Sequence, residues 1–189
     1  MENNPDAGMA CGQLLNSDGS KQNSIANFPE LPDLLLNEIL LRILLPGRYP
    51  SKRKEYKSPI EVDSCIGACL MVRKKTMDQV GFLDEDYFFF FEETDWARRI
   101  KQSGWKIYFV PTARIIHFQG QSVGHNIRSR MLYYTSRYTY FKKWYPRHYP
   151  VIRRIIFIRL LINAVLNLLG VGGTLGLQRD VKKKLALYV

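Results

Sequence analysis

Gly81-Phe82-Leu83-Asp84-Glu85-Asp86-Tyr87-Phe88-Phe89-Phe90-Phe91-Glu92-Glu93-Thr94-Asp95-Trp96 decides how the rest of this 189-residue chain is read. An aromatic run ends in three carboxylates within four residues, and a helix-like segment follows over 96–103 until Gly104 stops it. The four consecutive phenylalanines predict a buried strand or tight extended segment. Glu92, Glu93 and Asp95 then fall where the backbone turns into a helix, whose positive end favours nearby anions by roughly 0.3–1 kcal/mol.

Three acids this close repel one another, and an aromatic wall desolvates them. Both effects raise at least one pKa, as a general base working near neutral pH requires. If the helix already includes Glu92, then Glu92 and Asp95 share a face at i,i+3 and Glu93 points elsewhere. Asp95 is in reach of Arg98 or Arg99 one turn on. That makes Asp95 the more structural acid and Glu93 the freer one. The competing reading is a capped amphipathic helix with surface carboxylates, since acids at helix starts are common.

Working outward, residues 62–72 read as a buried strand with a small-residue break at Gly67-Ala68, where glycine permits a bulge or close approach of a ligand. Residues 73–80 form a short helix ending at Gly81. Beyond the acidic corner, 105–110 and 113–118 read as two strands separated by Pro111. The second ends at His117; by itself a lone histidine at a strand end is more often structural or surface than a ligand. Residues 9–15 make a short strand closed by a turn over 16–20. Residues 32–45 read as a largely apolar helix between Pro32 and Pro46-Gly47, and 48–57 as a basic loop. Residues 126–145 read as a long helix rich in Tyr and Arg, stopped by Pro146.

The tail changes character. Residues 151–177 carry Arg153, Arg154 and Arg159 and then a long uncharged run interrupted by Asn163, Asn167 and glycines. Such a run, with Lys182-Lys183-Lys184 behind it, predicts an interfacial helix on an anionic membrane surface rather than a span. A helix packed on the domain or on another subunit is the alternative. The expected division is therefore 1–146 for a catalytic-type α/β domain and 147–189 for a basic, apolar helical tail.

Composition bounds the partners. The chain is 46% hydrophobic and 13% aromatic, enough for a packed core, and its net charge of +11 with a pI near 9.7 points to an anionic partner. Cys11, Cys65 and Cys69 form neither a disulfide framework nor a four-ligand zinc site, and fit a reducing compartment. The first residues lack the basic and apolar regions of a signal peptide. Interleaved bases and aromatics over 126–145 raise nucleic-acid binding as a rival, but no nucleic-acid-binding motif accompanies them. A non-enzymatic basic module that binds a membrane or a partner protein is the other rival.

An ordered set of segments adds to this reading. Gly67-Ala68-Cys69-Leu70-Met71-Val72-Arg73-Lys74, Val80-Gly81-Phe82-Leu83-Asp84-Glu85, the run to Trp96 with Arg98, Gly104-Trp105-Lys106, Val110-Pro111 and Ala113-Arg114-Ile115-Ile116-His117 occur in that order. The series resembles the C-terminal half of family 2 glycosyltransferases, especially rhamnosyltransferase-like enzymes of bacterial polysaccharide synthesis. Leu15-Asn16-Ser17-Asp18-Gly19-Ser20-Lys21-Gln22 is similar to their linker segment.

The resemblance implies a GT-A fold and inverting transfer from a nucleotide-sugar donor to a polysaccharide or lipid-linked acceptor on the cytoplasmic face of the plasma membrane. It assigns the base to Glu93, with Glu92 and Asp95 as close alternatives. It puts Gly67, Ala68, Trp96 and Arg98 near the substrates, and His117 beside a Mg²⁺ or Mn²⁺ ion on the donor diphosphate. The family's nucleotide-binding βαβ units and Asp-x-Asp metal motif have no counterpart ahead of residue 9. Asp84-Glu85-Asp86 has the letters of that motif but aligns elsewhere. A partial GT-A fold is therefore expected, inactive alone or complemented by an N-terminal half from another polypeptide or by a second copy.

Overall fold

Strand β1, Ala7–Leu15, is buried over almost its whole length because it is covered on both edges and on its faces. It runs parallel to β6, Lys106–Ile116, and antiparallel to β5, Leu70–Val72, in a four-stranded sheet of order β3-β6-β1-β5. Strand β3 is Ile60–Glu61; the short strands β2, Ile25–Ala26, and β4, Ser64–Cys65, pair separately. A continuous apolar run such as Ala7-Gly8-Met9-Ala10-Cys11 suits an interior strand. This computed structural model describes residues 1–35, 43–45, 55–122, 124 and 126–173, with the side chains of 35 and 167–173 excepted.

Helix α1 is Leu31–Leu35, α2 Lys74–Val80 and α3 Glu92–Gln102. The expected helix over 32–45, the basic loop over 48–57 and the tail past 173 lie wholly or partly outside the described residues. Helix α3 packs Trp96, Ala97 and Ile100 against Met9, Cys11, Ile107 and Phe109 of the sheet, with Ile25, Val62 and Cys65 completing the cluster. Its polar residues face away, which is why so polar a helix still holds the core.

The architecture is mixed α/β. Three local expectations need correction. The phenylalanine run is no strand: Phe88 is 76% exposed, while Phe90 and Phe91 both sit at φ 69° in a bent segment. Only Phe91 of the four is buried. Side-chain hydrophobicity alone overrated this stretch, because the chain must turn sharply to start α3.

Pro111 does not divide two strands either. Strand β6 is continuous, and its register against β1 jumps from Gly12↔Val110 to Gln13↔Arg114. The proline, which cannot donate to a ladder, is housed in that irregularity. The extra residues press on Gly12, where an added Cβ would lie 2.5 Å from the Ala113 carbonyl oxygen. Conversely, the span 62–72 is two strands, because the Gly67-Ala68 break is a full turn.

The described chain falls into two compact units, Met1–Gln119 and Gly120–Val189. The boundary anticipated after residue 146 lies inside the second. That unit holds α4, Ile127–Trp144, and α5, Tyr149–Gly173, which contact each other. Asn126 caps α4 by accepting from the Ser129 N–H at 2.9 Å, and the Ser129 side chain returns the contact. Among its described residues Tyr140, Phe141, Ile152 and Ile156 are the buried apolar ones. Among the described residues no helix is long and apolar enough to cross a membrane.

Candidate functional site

The acidic corner is built by α3 and the loop before it. Asp95 is fully buried; its Oδ2 accepts from Arg99 Nε at 2.9 Å and its Oδ1 faces the Tyr87 hydroxyl at 3.4 Å. Arg99 also donates to the carbonyls of Val80 at 2.6 Å and Phe82 at 2.7 Å. The Trp96 indole N–H donates to the Gly81 carbonyl at 2.8 Å. These bonds clamp the end of α2 onto α3. Gly81, at φ 78°, supplies the left-handed turn between them.

Glu92 and Glu93 differ from Asp95 in kind. Among the described residues, the Oε2 atoms of both are buried without a hydrogen-bond partner. Burial pushes the Glu93 carboxyl up to about 7, and the neighbouring Glu92 charge adds to it. The backbone N–H groups of Glu93, Thr94 and Gly67 act the other way. Burial likewise raises the Glu92 carboxyl.

The entry residue Phe91 offers no side-chain cap, so the first-turn N–H groups meet carboxylate instead. Gly67 lies directly against this group, where an added Cβ would sit 3.6 Å from Glu93 Cγ. Both Gly67 and Ala68 are exposed. An enclosed carboxyl with a pKa near neutrality and an unsatisfied oxygen can accept a proton from a hydroxyl brought beside it. The left-handed backbone at Phe90 and Phe91, costly for residues with a Cβ, occurs immediately before it.

The other anticipated site residues are placed as follows. Trp96 is in the core, with its N–H spent on Gly81. Arg98 lies 5.9 Å over the Phe28 ring. Asp84 Oδ1 accepts from the Asp86 N–H at 3.0 Å, an ordinary turn bond. Cys11 and Cys65 are buried free thiols, and the Cys65 thiol is raised by its contact with Cys11 and by burial, as suits core residues.

His117 follows β6. Its Nδ1 is 2.8 Å from Gln22 Oε1, while Gln22 Nε2 donates to Asn16 Oδ1 at 2.7 Å and to the His117 carbonyl at 2.6 Å. The amide orientation so set makes Nδ1 the donor to Gln22 Oε1 and fixes the ring's orientation. One oriented imidazole is not a site, however. No group of three or more His, Cys, Asp or Glu able to hold a metal ion occurs among the described residues. Gln22 was the partner that spacing could not reveal; it is 95 residues from His117.

Comparison with known proteins bears on what this corner does. Over 81 residues the chain is 36% identical to an N-acetylglucosaminyl-diphospho-decaprenol L-rhamnosyltransferase of Mycobacterium tuberculosis, a match covering 42% of this chain and 26% of the relative. It is 28% identical over 97 residues to rhamnosyltransferase WbbL of Escherichia coli, covering 50% of this chain and 34% of that one. It is 26% identical over 107 residues to the low-salt glycan biosynthesis hexosyltransferase Agl10 of Haloferax volcanii, covering 57% and 32%.

The chain thus spans about a quarter to a third of the curated relatives it matches. No family model matches it, and no solved structure does. These partial likenesses support a glycosyltransferase-like relationship.

Proposed function

We propose that this chain is the acceptor-side part of an inverting, GT-A-type glycosyltransferase with Glu93 as its general base. The Glu93 carboxylate takes the proton of an acceptor hydroxyl. The hydroxyl oxygen bonds to the anomeric carbon of the donor sugar from the face opposite the nucleoside diphosphate. That diphosphate leaves with the electron pair of the broken bond, so the configuration inverts. Glu92 keeps the Glu93 proton affinity high, and Asp95 holds α3 and the preceding loop in place through Arg99.

The observation that carries the reading is the buried Glu93 carboxyl, with its Oε2 unsatisfied and its pKa at about 7, beside Gly67. The rhamnosyltransferase and hexosyltransferase names of the partial relatives support the reaction class. Donor binding is assigned to a complementing N-terminal half or a second copy. A divalent cation, Mg²⁺ or Mn²⁺, belongs with the donor diphosphate there. The described residues do not make a site for it by themselves, and the proton transfer at Glu93 does not depend on it.

The acceptor is a polysaccharide or a lipid-linked saccharide. The protein sits peripherally on the cytoplasmic face of the plasma membrane, a placement favoured by the exposed apolar side chains Phe157, Ile158, Leu161 and Ile162 beside Arg154 and Arg159 on α5.

Transfer from nucleotide-sugars to lipid-linked acceptor, measured on the full chain with and without the donor-binding half, tests this. Glu93→Gln is expected to lower the rate about 10²–10⁴-fold while leaving the fold intact. The wild-type rate should rise with pH through about 7, as Glu93 loses its proton. Undiminished turnover in Glu93→Gln would move the base elsewhere.

A further inference from the structure

The second unit contains an open groove that the sugar-transfer reading does not use. It has a volume of about 340 Å³ and is lined by Thr135, Tyr138, Thr139 and Lys142 of α4 and by Tyr149 and Arg153 of α5. The four α4 residues are spaced i, i+3, i+4, i+7 and the two α5 residues i, i+4, so each helix turns one stripe to the groove. The volume is at the low end of the roughly 300–1,000 Å³ of small-molecule sites.

The lining has one chemical character. It offers four hydroxyls, an ammonium and a guanidinium, and no carboxylate. None is near in sequence either, since residues 96–179 contain no Asp or Glu. Neither Lys142 nor Arg153 has an acidic partner among the described residues. Desolvation, with Tyr149 next to it, raises the Tyr138 hydroxyl above its ordinary value, while Arg153 and Arg137 act in the opposite direction. Tyr138 therefore stays protonated and can donate.

A ligand here must accept hydrogen bonds from several directions and bring negative charge. A planar carboxylate meets one guanidinium well, but a tetrahedral oxyanion satisfies donors converging from two helices. We propose that the groove between α4 and α5 binds a phosphate or diphosphate group, with Arg153 and Lys142 neutralising it and Thr135, Thr139, Tyr138 and Tyr149 donating to its oxygens.

The ligand is either the phosphate head of an amphiphile, whose tail would lie along the exposed apolar side chains of α5, or a soluble phosphate ester. The proposal does not depend on the base assignment. Glu93→Gln should leave this binding unchanged, so the two readings fail separately.

The test is titration of the full chain with inorganic pyrophosphate. It is paired with sedimentation on phosphatidylcholine vesicles carrying either phosphatidic acid or a fatty acid at equal surface charge. We expect saturable binding of one phosphate group per chain. Lys142→Gln with Arg153→Gln should weaken it by at least about tenfold. Arg128→Gln with Arg147→Gln, which removes the same charge from exposed positions outside the groove, should weaken it by less than about threefold.

Pyrophosphate binding together with a preference for phosphatidic acid identifies the shared phosphate chemistry. A preference for phosphatidic acid without pyrophosphate binding identifies a lipid head. Absence of both overturns the proposal, as does equal weakening in the two double variants. Thr139→Val keeps charge and shape and decides alone if the groove variant fails to fold. Weakening by about fivefold supports the site, and unchanged affinity refutes it.

Discussion

The two compact units divide the charge of the chain very unequally. Met1–Gln119 has 15 Lys and Arg against 16 Asp and Glu, a net of −1; Gly120–Val189 has 13 against one, a net of +12. The first unit spends several of its acids on its own contacts. Asp95 ties two helices through Arg99, Asp63 and Glu61 meet Lys101 at 3.2 and 3.1 Å, and Glu92 and Glu93 are enclosed. Among the described residues of the second unit, most cations, including Arg128, Lys142, Arg147, Arg153 and Arg154, face solvent. A region with balanced charge can enclose a carboxyl and tune it, whereas a region with one sign of charge can only attract something from outside. On the proposed function, chemistry and attachment are thereby separated along the chain.

Removing the clamp should break the first unit most. Asp95→Ala leaves the Arg99 guanidinium without its buried partner and is expected to cost about 3 kcal/mol in urea unfolding followed by tryptophan fluorescence. The low end of the usual range applies because Arg99 keeps the Val80 and Phe82 carbonyls. A loss under about 1 kcal/mol would show that the pair does not hold the corner.

Glu93→Gln sharpens the contrast by pH. The Glu93 pKa is about 7 in the fold against an ordinary 4.5. Its contribution is thus fully present below the unfolded value and is lost as pH rises through about 7. Wild type should lose roughly 2–3 kcal/mol between pH 4 and pH 8 from this group, a loss absent in the variant. Parallel pH profiles would place the carboxyl in water.

Gly12→Ala probes the β1–β6 irregularity, where the new methyl meets both the end of the Ile115 side chain and, at 2.5 Å, the Ala113 carbonyl oxygen, and the backbone atom cannot swing away. About 2 kcal/mol of destabilisation is expected, read as a lower urea midpoint. The smallest effect belongs to the second unit. Arg154→Gln should weaken binding to vesicles containing anionic lipid by about 1 kcal/mol, while Lys75→Gln in the first unit leaves it unchanged. Equal effects would erase the distinction between the units.

Much of the local structure was legible in the residues. The acid-tipped helix, the short helix ahead of Gly81, the capped helix before Pro146 and the arginine-bearing tail helix all follow from caps, breakers and apolar spacing. Phe88 to Phe91 and Pro111 misled for opposite reasons. The phenylalanines looked like a strand because they are apolar, yet the turn into α3 overrides propensity. Pro111 looked like a strand end, yet a bulge opposite Gly12 absorbs it. The spacing allowed Asp95 to pair with either Arg98 or Arg99; packing chose Arg99 and left Arg98 over Phe28.

By itself the sequence determined that three carboxylates would crowd a helix start and that nearly all unbalanced positive charge would lie beyond residue 119, because both are matters of chain order. Only the tertiary structure decided which carboxyl is paired with an arginine and which are left with a buried, unsatisfied oxygen, that Gly67 lies against Glu93, and that Gln22 orients His117. Those are consequences of desolvation and of contacts between distant segments, and neither is a function of spacing along the chain.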